Sequence, residues 1–399
     1  MRKFVYHALY EVVYKGVYSN LYLKNNLHKV KEKDRALATT IFYGTLQNYT
    51  YLQYVYKQYA KKKVNKKVDV LLCMSIYQLL FLDKIPDYAI IDEANTIAKN
   101  ELGSLYGFVN AILRKVHKED IRLPEDVLER ASVEYSMPLW LIKMWNAQYG
   151  EQKALSMAKY SNQSMPIYVR VKDESILDSN FVHVYKNLYK YLGNNIAALG
   201  AYAQGKLSVQ DEGSYRIVDY LDVEKKLNVL DCCAAPGTKT MAIAEIMDNT
   251  GTITCLDIHK HRVELIQKDI ERLGFINVFA KCMDATQIDS LGMFDRILCD
   301  VPCSGYGVLS RKPDIKLRMK SEDMDTLIPL QKKILESASH HLKKNGILVY
   351  STCTINKKEN EKQIETFLKC HEDFKLMEDH TIFIDDQQDG FYMAKLMKK

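Results

Sequence analysis

The spacing of apolar and polar positions changes along the chain. From residue 1 to about 130, apolar residues recur at helical spacing and strand-like runs are almost absent, which predicts a domain of several short-looped helices. Near its start, tyrosines repeat four residues apart, at Tyr6, Tyr10, Tyr14, Tyr18 and Tyr22. This repeat predicts one side of a single helix. Such a stripe is more often core than a platform for nucleic-acid bases.

The rest of the chain contains strands. Residues 131–215 are irregular, with a helix starting at Pro138 and a strand at 166–171, and they predict a small α+β piece. From about residue 216, strands alternate with helices, which predicts a parallel, doubly wound sheet. Its strands are expected at 227–231, 251–257, 277–281, 294–300 and 346–351, with an edge strand at 391–396. We therefore expect domains at 1–130, 131–215 and 216–399.

The composition is ordinary for a globular protein, at 399 residues, 47% hydrophobic and 27% charged. No uncharged apolar run approaches the roughly 18 residues of a membrane span, and no signal-peptide core follows the first residues. The nine cysteines are an odd number without C-x-x-C spacing. This argues against a disulfide framework or a zinc ribbon, so we expect a cytoplasmic protein without membrane or metal binding.

The net charge of +6 is unevenly distributed. Residues 1–70 contain 14 Lys and Arg against 4 Asp and Glu, a net +10, so the remainder carries −4. A basic segment on a near-neutral body is typical of proteins that bind a polyanion such as nucleic acid. An ordinary solvated basic face remains the alternative.

Acidic residues follow successive predicted strands. The first strand runs into the sequence DCCAAPGTKT at 231–240, a tight turn of small residues that is neither a dinucleotide fingerprint nor a Walker motif. Asp257, Asp284 and Asp300 follow the next three strands. Each alone is more often a helix cap or a surface group. Together, at the edge where parallel strands end and without a phosphate-binding loop, they favour a nucleoside without phosphates, such as S-adenosylmethionine.

Two cysteines have the same setting as these acids. Cys303 follows Asp300 across a proline, and Cys353 follows the predicted strand at 346–351. Carbon 5 of a pyrimidine becomes nucleophilic when a thiolate adds to carbon 6, and an acid near N3 stabilises that adduct. A Cys–His hydrolase is the main rival, but no histidine has an evident thiol partner. These residues alone do not show which of the two thiols is the nucleophile.

Three segments together identify a family. DCCAAPGTKT at 231–240, DVPCSG at 300–305 and STCT at 351–354 resemble the RNA 5-methylcytosine methyltransferases of the Nol1/Nop2/Sun family, as do RKPDI at 311–315 and VQDEGS at 209–214. DRALA at 34–38 and YGTL at 43–46 are similar to the NusB-like domain of the bacterial RsmB (Sun) branch. The resemblance covers nearly the whole chain. It implies an all-α NusB-like domain, a small α+β linker and a Rossmann-like methyltransferase domain.

The resemblance also implies an activity, namely methyl transfer from S-adenosylmethionine to carbon 5 of a cytosine in 16S ribosomal RNA through a covalent Cys–C6 adduct. Cys353 would be the nucleophile, Cys303 would assist release of the RNA, and Asp300 would lie between the methionine end and the cytosine. Asp257 would bind the ribose and Asp284 would lie beside the adenine. The cofactor-binding loop would consist of Cys233, Ala234, Ala235, Pro236, Gly237, Thr238 and Lys239.

Four positions depart from the family pattern without removing a reacting group. Thr238 replaces a usual Gly, Cys232 is an extra thiol, Val301 replaces Ala, and Thr354 stands where Ser is common. Two other functions stay open at this point. One is a catalytically inactive RNA-binding ribosome-assembly factor with a methyltransferase fold, and the other is a transferase acting on protein or DNA. We expect a monomer; the target cytosine and the base that removes its C5 proton are not given by the sequence.

Overall fold

The contacts within the chain separate it into two compact units. The structure is a computed structural model that describes residues 1–60, 62–193 and 195–399. The first unit comprises Met1–Gln163 and Leu309–Lys320, and the second comprises Ser164–Val308 and Ser321–Lys399. Among the described residues, no helix combines the length and apolar character required to span a bilayer.

The first unit is helical, which confirms the prediction for the N-terminal region. Its helices are α1 (Arg2–Lys15), α2 (Ser19–Asn26), α3 (Glu32–Gln47), α4 (Tyr49–Lys57), α5 (Lys66–Phe81), α6 (Asp87–Leu102), α7 (Tyr106–Leu113), α8 (Val127–Glu134), α9 (Leu139–Tyr149) and α10 (Glu151–Tyr160). Helix α5 is buried along most of its length and contacts α1, α3, α4, α6 and α7. A helix that is apolar on all sides lies at the centre of a helical domain, as α5 does.

The predicted tyrosine stripe does not lie on one helix. Helix α1 ends at Lys15 because Gly16 adopts a left-handed conformation, with φ at 77°. Tyr18 therefore precedes α2 and is 61% exposed, while Tyr22 lies within α2. The prediction of a single helix was wrong. The core role is confirmed for the buried Tyr6.

A buried carboxylate lies at the centre of the first unit. Asp69 of α5 accepts hydrogen bonds from the hydroxyls of Tyr14 and Tyr56, both at 2.5 Å, and from that of Tyr49. The Gln53 amide donates a fourth hydrogen bond at 2.9 Å. A buried carboxylate destabilises a fold unless its oxygens are hydrogen-bonded, and these four donors fill the acceptor positions of Asp69.

The segment Leu309–Lys320 belongs to the first unit although the chain around it belongs to the second. The Ser19 hydroxyl donates a hydrogen bond to the Asp314 carboxylate at 2.6 Å. Lys316 is buried, and its ammonium donates to the carbonyl oxygen of Gln47 at 2.9 Å. Burial lowers the pKa of Lys316 to about 7. Buried polar contacts thus join this segment to α2 and α3.

The second unit opens with a small antiparallel sheet. Its strands are β1 (Ile167–Val171), β2 (Phe181–Tyr185), β3 (Leu188–Tyr191) and β4 (Leu207–Val209), in the order β2-β3-β1-β4. Two helices follow in the chain, α11 (Gly200–Ala203) between β3 and β4, and α12 (Glu212–Tyr220) after β4. The predicted α+β piece at 131–215 is divided between the units, because α9 and α10 belong to the first unit, while its strands, α11 and the start of α12 belong to the second. The three-domain boundaries stay a prediction.

A seven-stranded sheet forms the body of the second unit. Its strands are β5 (Asn228–Asp231), β6 (Thr252–Asp257), β7 (Val278–Cys282), β8 (Phe294–Asp300), β9 (Leu342–Thr352), β10 (Phe374–Ile382) and β11 (Phe391–Lys398). Their order is β10-β11-β9-β8-β5-β6-β7; β5 to β9 are parallel and β11 is antiparallel to both neighbours. The remaining helices are α13 (Thr238–Met247), α14 (Lys260–Leu273), α15 (Met324–His340) and α16 (Glu361–Cys370). The predicted parallel sheet is confirmed.

Helices cover both faces of this sheet. Val229 and Leu230 are consecutive on β5 and point to opposite faces, so they belong to different apolar clusters. The cluster around Val229 includes residues of α12, α13 and α14, and the cluster around Leu230 includes residues of α15 and α16. This arrangement buries the parallel strands on both sides and leaves their carboxyl ends at one edge.

The prediction of an edge strand at 391–396 was wrong. Strand β11 lies between β9 and β10, and β10 forms the edge. Residues between the two ends of β10 are mostly exposed. The exposed positions hold the adjacent apolar residues Leu376 and Met377 beside polar ones, so β10 has no apolar alternation by which the sequence could predict it.

Candidate active site

A cavity opens where the order of the strands reverses. The chain runs from β5 through β6 to β7 and then returns to β8 on the other side of β5, which leaves a crevice beyond the carboxyl ends of β5 and β8. The cavity has a volume of about 450 Å³, within the range of small-molecule sites. The predicted site residues that line it are Cys233, Ala235, Asp257, Asp284, Asp300, Cys303 and Cys353. The predicted loop residues outside its lining are Ala234, Pro236, Gly237, Thr238 and Lys239.

The loop between β5 and α13 is fixed at several points. The Thr240 hydroxyl donates a hydrogen bond to Asp231 at 2.6 Å, and the Ala234 amide donates to the carbonyl of Leu256 at 2.8 Å. Gly237 has φ at 106°, a conformation that side chains other than hydrogen rarely allow. The small residues of this loop therefore serve the turn, and α13 begins directly after it.

Asp231 is buried at the base of this loop, with 1% of its surface exposed. Burial disfavours its charged form, and the nearby Asp300 carboxylate adds repulsion. The two effects outweigh the Thr240 hydrogen bond and raise the pKa of Asp231 to about 6. The carboxyl end of β5 therefore carries an acid that loses its proton at a higher pH than an ordinary aspartate does.

Asp257 and Asp284 each use one carboxylate oxygen locally. Oδ1 of Asp257 accepts a hydrogen bond from the His259 amide at 2.8 Å. Oδ1 of Asp284 accepts from the amide and the hydroxyl of Thr286, at 2.9 and 2.8 Å. These contacts are those of ordinary turn acids, yet both residues also line the cavity. Asp257 and Asp284 therefore each stabilise a turn through one oxygen and also line the cavity.

Asp300 is held from two sides. The Lys239 ammonium donates to its Oδ2 at 2.7 Å, and the Ser351 hydroxyl donates to its Oδ1 at 2.8 Å. Burial works against the charge of Lys239, but the Asp300 carboxylate outweighs burial and raises the pKa of Lys239. Lys239, predicted as a cofactor residue, thus contacts the acid that lines the cavity. The role of Ser351 was missed, because nothing in STCT marks a partner for an acid on another strand.

The two thiols lie together. The sulfur atoms of Cys303 and Cys353 are 3.3 Å apart, within the range of an S–H···S hydrogen bond. Strands β8 and β9 pair with Asp300 opposite Ser351, so the loops that follow them leave the same edge side by side. The contact with Cys353 and then burial raise the pKa of the Cys303 thiol well above its usual value.

Gly307 joins the two thiol-bearing loops. Its amide donates to the carbonyl of Cys353 at 3.0 Å, and its carbonyl accepts from the Gly390 amide at 2.8 Å. A Cβ atom at residue 307 would lie 2.0 Å from the Gly390 oxygen, a distance that real Cβ atoms do not reach. Glycine is therefore required for this approach of three backbone segments.

Sequence reasoning missed the apolar part of the cavity lining, which includes Ile258, Met283, Pro302, Leu330 and Ile334. In the sequence, Ile258 directly follows the strand-end acid Asp257, and this position was the one available signal of a place in the site. In the structure, Ile258 is 58% exposed. Leu330 and Ile334 lie on α15 at ordinary helical spacing, so no pattern distinguishes them. Among the described residues, no group of three or more His, Cys, Asp or Glu is arranged to hold a metal ion.

The fold and the position of the cavity are those of a Rossmann-like methyltransferase. Residues 218–397 match the family model of the 16S rRNA methyltransferase RsmB/F, and residues 1–118 match that of the NusB family. The chain belongs to the RsmB/F methyltransferase family, and the predicted family resemblance is confirmed.

Similar proteins match over the full length. A Bacillus subtilis (strain 168) protein named probable ribosomal RNA small subunit methyltransferase B is 36% identical, over 100% of this chain and 99% of that protein. A Yersinia enterocolitica ribosomal RNA small subunit methyltransferase B is 29% identical, also over 100% and 99%. The crystal structure of PH0851 superimposes with a TM-score of 0.82 at 24% identity, covering 100% of this chain and 99% of that one. That structure supports the fold.

Proposed function

We propose that this protein methylates carbon 5 of a cytosine in 16S ribosomal RNA, using S-adenosylmethionine. The observation that carries the proposal is the 3.3 Å separation of Cys303 and Cys353 beside Asp300, in a cavity that Asp257 and Asp284 also line. A thiol and an acid are the groups that C5 chemistry on a pyrimidine requires. The names of the full-length relatives support small-subunit ribosomal RNA as the substrate.

The lining of the cavity fits S-adenosylmethionine. Asp257 would accept hydrogen bonds from the two ribose hydroxyls, and Asp284 would lie beside the adenine. Ile258 and Met283 offer apolar surface for a flat ring. The loop from Cys233 to Lys239 would border the methionine end. When bound, S-adenosylmethionine supplies an electrophilic methyl group.

The two thiols would have different roles. The two sulfur atoms are within hydrogen-bonding distance, so the Cys303 S–H would donate to the Cys353 sulfur and stabilise a thiolate there. The Cys353 thiolate would add to carbon 6, and Asp300 would share a proton with N3 of the ring. After methylation, loss of the C5 proton and elimination would release Cys353. Cys303 is near enough to exchange a proton with the departing sulfur.

The RNA has to present an accessible base. A base stacked in a helix does not expose carbon 6 to a thiol in a cavity, so the target cytosine would be unpaired or flipped out. The basic first 70 residues would contact phosphates, and binding should weaken steeply as salt is raised.

Alanine substitutions of the two thiols test the proposal. Cys353→Ala should abolish methylation of 16S RNA while S-adenosylmethionine still binds, because the nucleophile is lost and the rest of the cavity remains. Cys303→Ala should accumulate a covalent protein–RNA adduct, visible on denaturing gels. Cys370→Ala, which removes an exposed thiol at the end of α16, is the control and should behave like the parent.

Each outcome discriminates between functions. Full activity of Cys353→Ala would contradict the assignment, and free turnover of Cys303→Ala without adduct would reverse the roles of the thiols. If the parent protein binds S-adenosylmethionine and 16S RNA but transfers no labelled methyl group, the inactive assembly factor is the correct alternative.

A further inference from the structure

A further buried carboxylate, that of Glu359, contacts the loop that carries Cys303. Glu359 has none of its surface exposed. It accepts hydrogen bonds from the Ser304 amide at 2.9 Å, the Ser304 hydroxyl at 2.6 Å, the Gln331 amide group at 3.0 Å and the Asn356 amide group at 3.0 Å. A shift of any of these donors would leave a buried polar group without its partner, so the contacts of Glu359 hold the segments that provide them in place.

These contacts fix the loop of Cys303 on both sides. Ser304 directly follows Cys303 and bonds to Glu359 through its main chain and its side chain. Gln331 donates from one nitrogen to Glu359 and to the carbonyl of Pro302, each at 3.0 Å. Pro302 and Ser304, which flank Cys303, are therefore both held by hydrogen bonds that lead to the Glu359 carboxylate, directly or through Gln331.

The next residue, Asn360, fixes the loop of Cys353 in the same way. The Thr352 hydroxyl donates to its side-chain oxygen at 2.6 Å, and its side-chain nitrogen donates to the carbonyl of Thr354 at 3.0 Å. Asn360 is also fully buried. Glu359 therefore holds the Cys303 loop and Asn360 holds the Cys353 loop, and these two residues are neighbours in the chain. Their contacts add to the two that join the loops directly, from the Gly307 amide to the Cys353 carbonyl and between the Ser304 and Thr354 hydroxyls.

We propose that Glu359 and Asn360 are positioning residues that together set the separation of the Cys303 and Cys353 sulfur atoms. A single peptide unit joins them, so the two loops cannot shift independently without breaking buried hydrogen bonds. The cavity lining, within the described part of the chain, includes neither residue. They act through the thiols and contact no reacting atom.

The catalytic consequence rests on the proposed function. Displacing one loop by about 1 Å would reduce a step that needs both thiols by roughly 100-fold. Glu359→Gln puts an NH₂ group among four donors and displaces the Cys303 loop, so release should slow and the RNA adduct should accumulate. Asn360→Ala frees the Cys353 loop, so adduct formation itself should slow. Opposite effects on the adduct distinguish positioning from a general loss of structure.

The separation of the thiols is measurable without RNA or S-adenosylmethionine. Diamide oxidises neighbouring thiols to a disulfide, and two sulfurs already 3.3 Å apart need little movement to reach a bond of about 2.05 Å. Peptide mapping by mass spectrometry gives the rate at which Cys303 joins Cys353. We expect this rate to fall by about tenfold or more in Glu359→Gln and Asn360→Ala. Ser304→Ala, a milder change in the same loop, should reduce it less.

Glu365→Gln is the matched control, because it removes the same charge from an exposed position on α16 and should leave the crosslinking rate unchanged. Rates equal to the parent in both test variants would overturn the positioning role. Slower crosslinking with the opposite adduct effects supports it. If crosslinking slows in the variants but the parent protein methylates no RNA, the positioning role is supported and the proposed function is rejected. A failure of the positioning proposal can therefore be told apart from a failure of the proposed function.

Discussion

The acid at the end of β5 makes the stability of the second unit depend on pH, and Asp231→Asn tests the size of this effect. An acid whose pKa is higher in the folded state binds its proton more tightly there. Such an acid contributes its whole stabilisation at pH values below its pKa in the unfolded state. This contribution is lost as the pH rises through its pKa in the folded state. For Asp231 the ordinary value is 3.8 and the folded value about 6, so the loss falls between these two pH values.

The magnitude follows from the same two pKa values. Their difference is 6 minus 3.8, and one pKa unit corresponds to about 1.4 kcal/mol. At pH 7 the ionised Asp231 therefore lowers the free energy of unfolding by roughly 3 kcal/mol relative to a neutral carboxyl. Asparagine is neutral at every pH and can still accept the Thr240 hydrogen bond. Any cost of its extra NH₂ group is independent of pH.

Amide hydrogen exchange in β5 and β6, measured by mass spectrometry, is the appropriate assay. Both tryptophans, Trp140 and Trp145, lie in the first unit, so fluorescence would report on the wrong part of the protein. The stability gain of Asp231→Asn over the parent should shrink by roughly 2 to 3 kcal/mol as pH falls from about 7 to 4. Asp289→Asn, at an exposed acid, serves as control. A difference that stays constant with pH would refute the reasoning.

Two further substitutions test other contacts. Gly307→Ala would place its Cβ 2.0 Å from the Gly390 oxygen and separate the thiol loops, so methylation should fall roughly 100-fold, while Gly292→Ala, in open space, should not change it. Unchanged activity of Gly307→Ala would show that this close approach is dispensable. Asp69→Asn turns an acceptor of four hydrogen bonds into a group with its own donors and should destabilise the first unit by about 3 kcal/mol in urea titrations followed by tryptophan fluorescence. The exposed Asp83→Asn is its control, and equal stability of the two variants would contradict a structural role for the Asp69 cluster.

The sequence predicted those features that depend on local patterns. Buried parallel strands are mostly apolar runs bounded by turn residues, so the strand ending at Asp300 was located residue for residue. Because the carboxyl ends of parallel strands meet at one edge, the sequence also predicted that Cys303 and Cys353 form one site, and the structure brings them together.

Features that depend on distant contacts were not predictable in this way. Strand β10 has too few buried positions to show a period, and the pairing of Lys239 with Asp300 joins residues 61 positions apart. The contact between Asp314 and Ser19 spans 295 positions. Only the folded chain reveals such pairs, because nothing in the segment around one member indicates which distant residue it contacts.

The placement of Leu309–Lys320 in the first unit bears on how the chain folds during synthesis. The first unit is otherwise complete at Gln163, yet it must wait for Lys320, 157 positions later (320 minus 163). At 5 to 20 residues per second, this delay is roughly 8 to 30 s. During that time Ser19 and the Gln47 carbonyl lack the partners that Asp314 and Lys316 later provide. A nascent chain would therefore carry an unfinished helical domain until most of the methyltransferase sheet has been made.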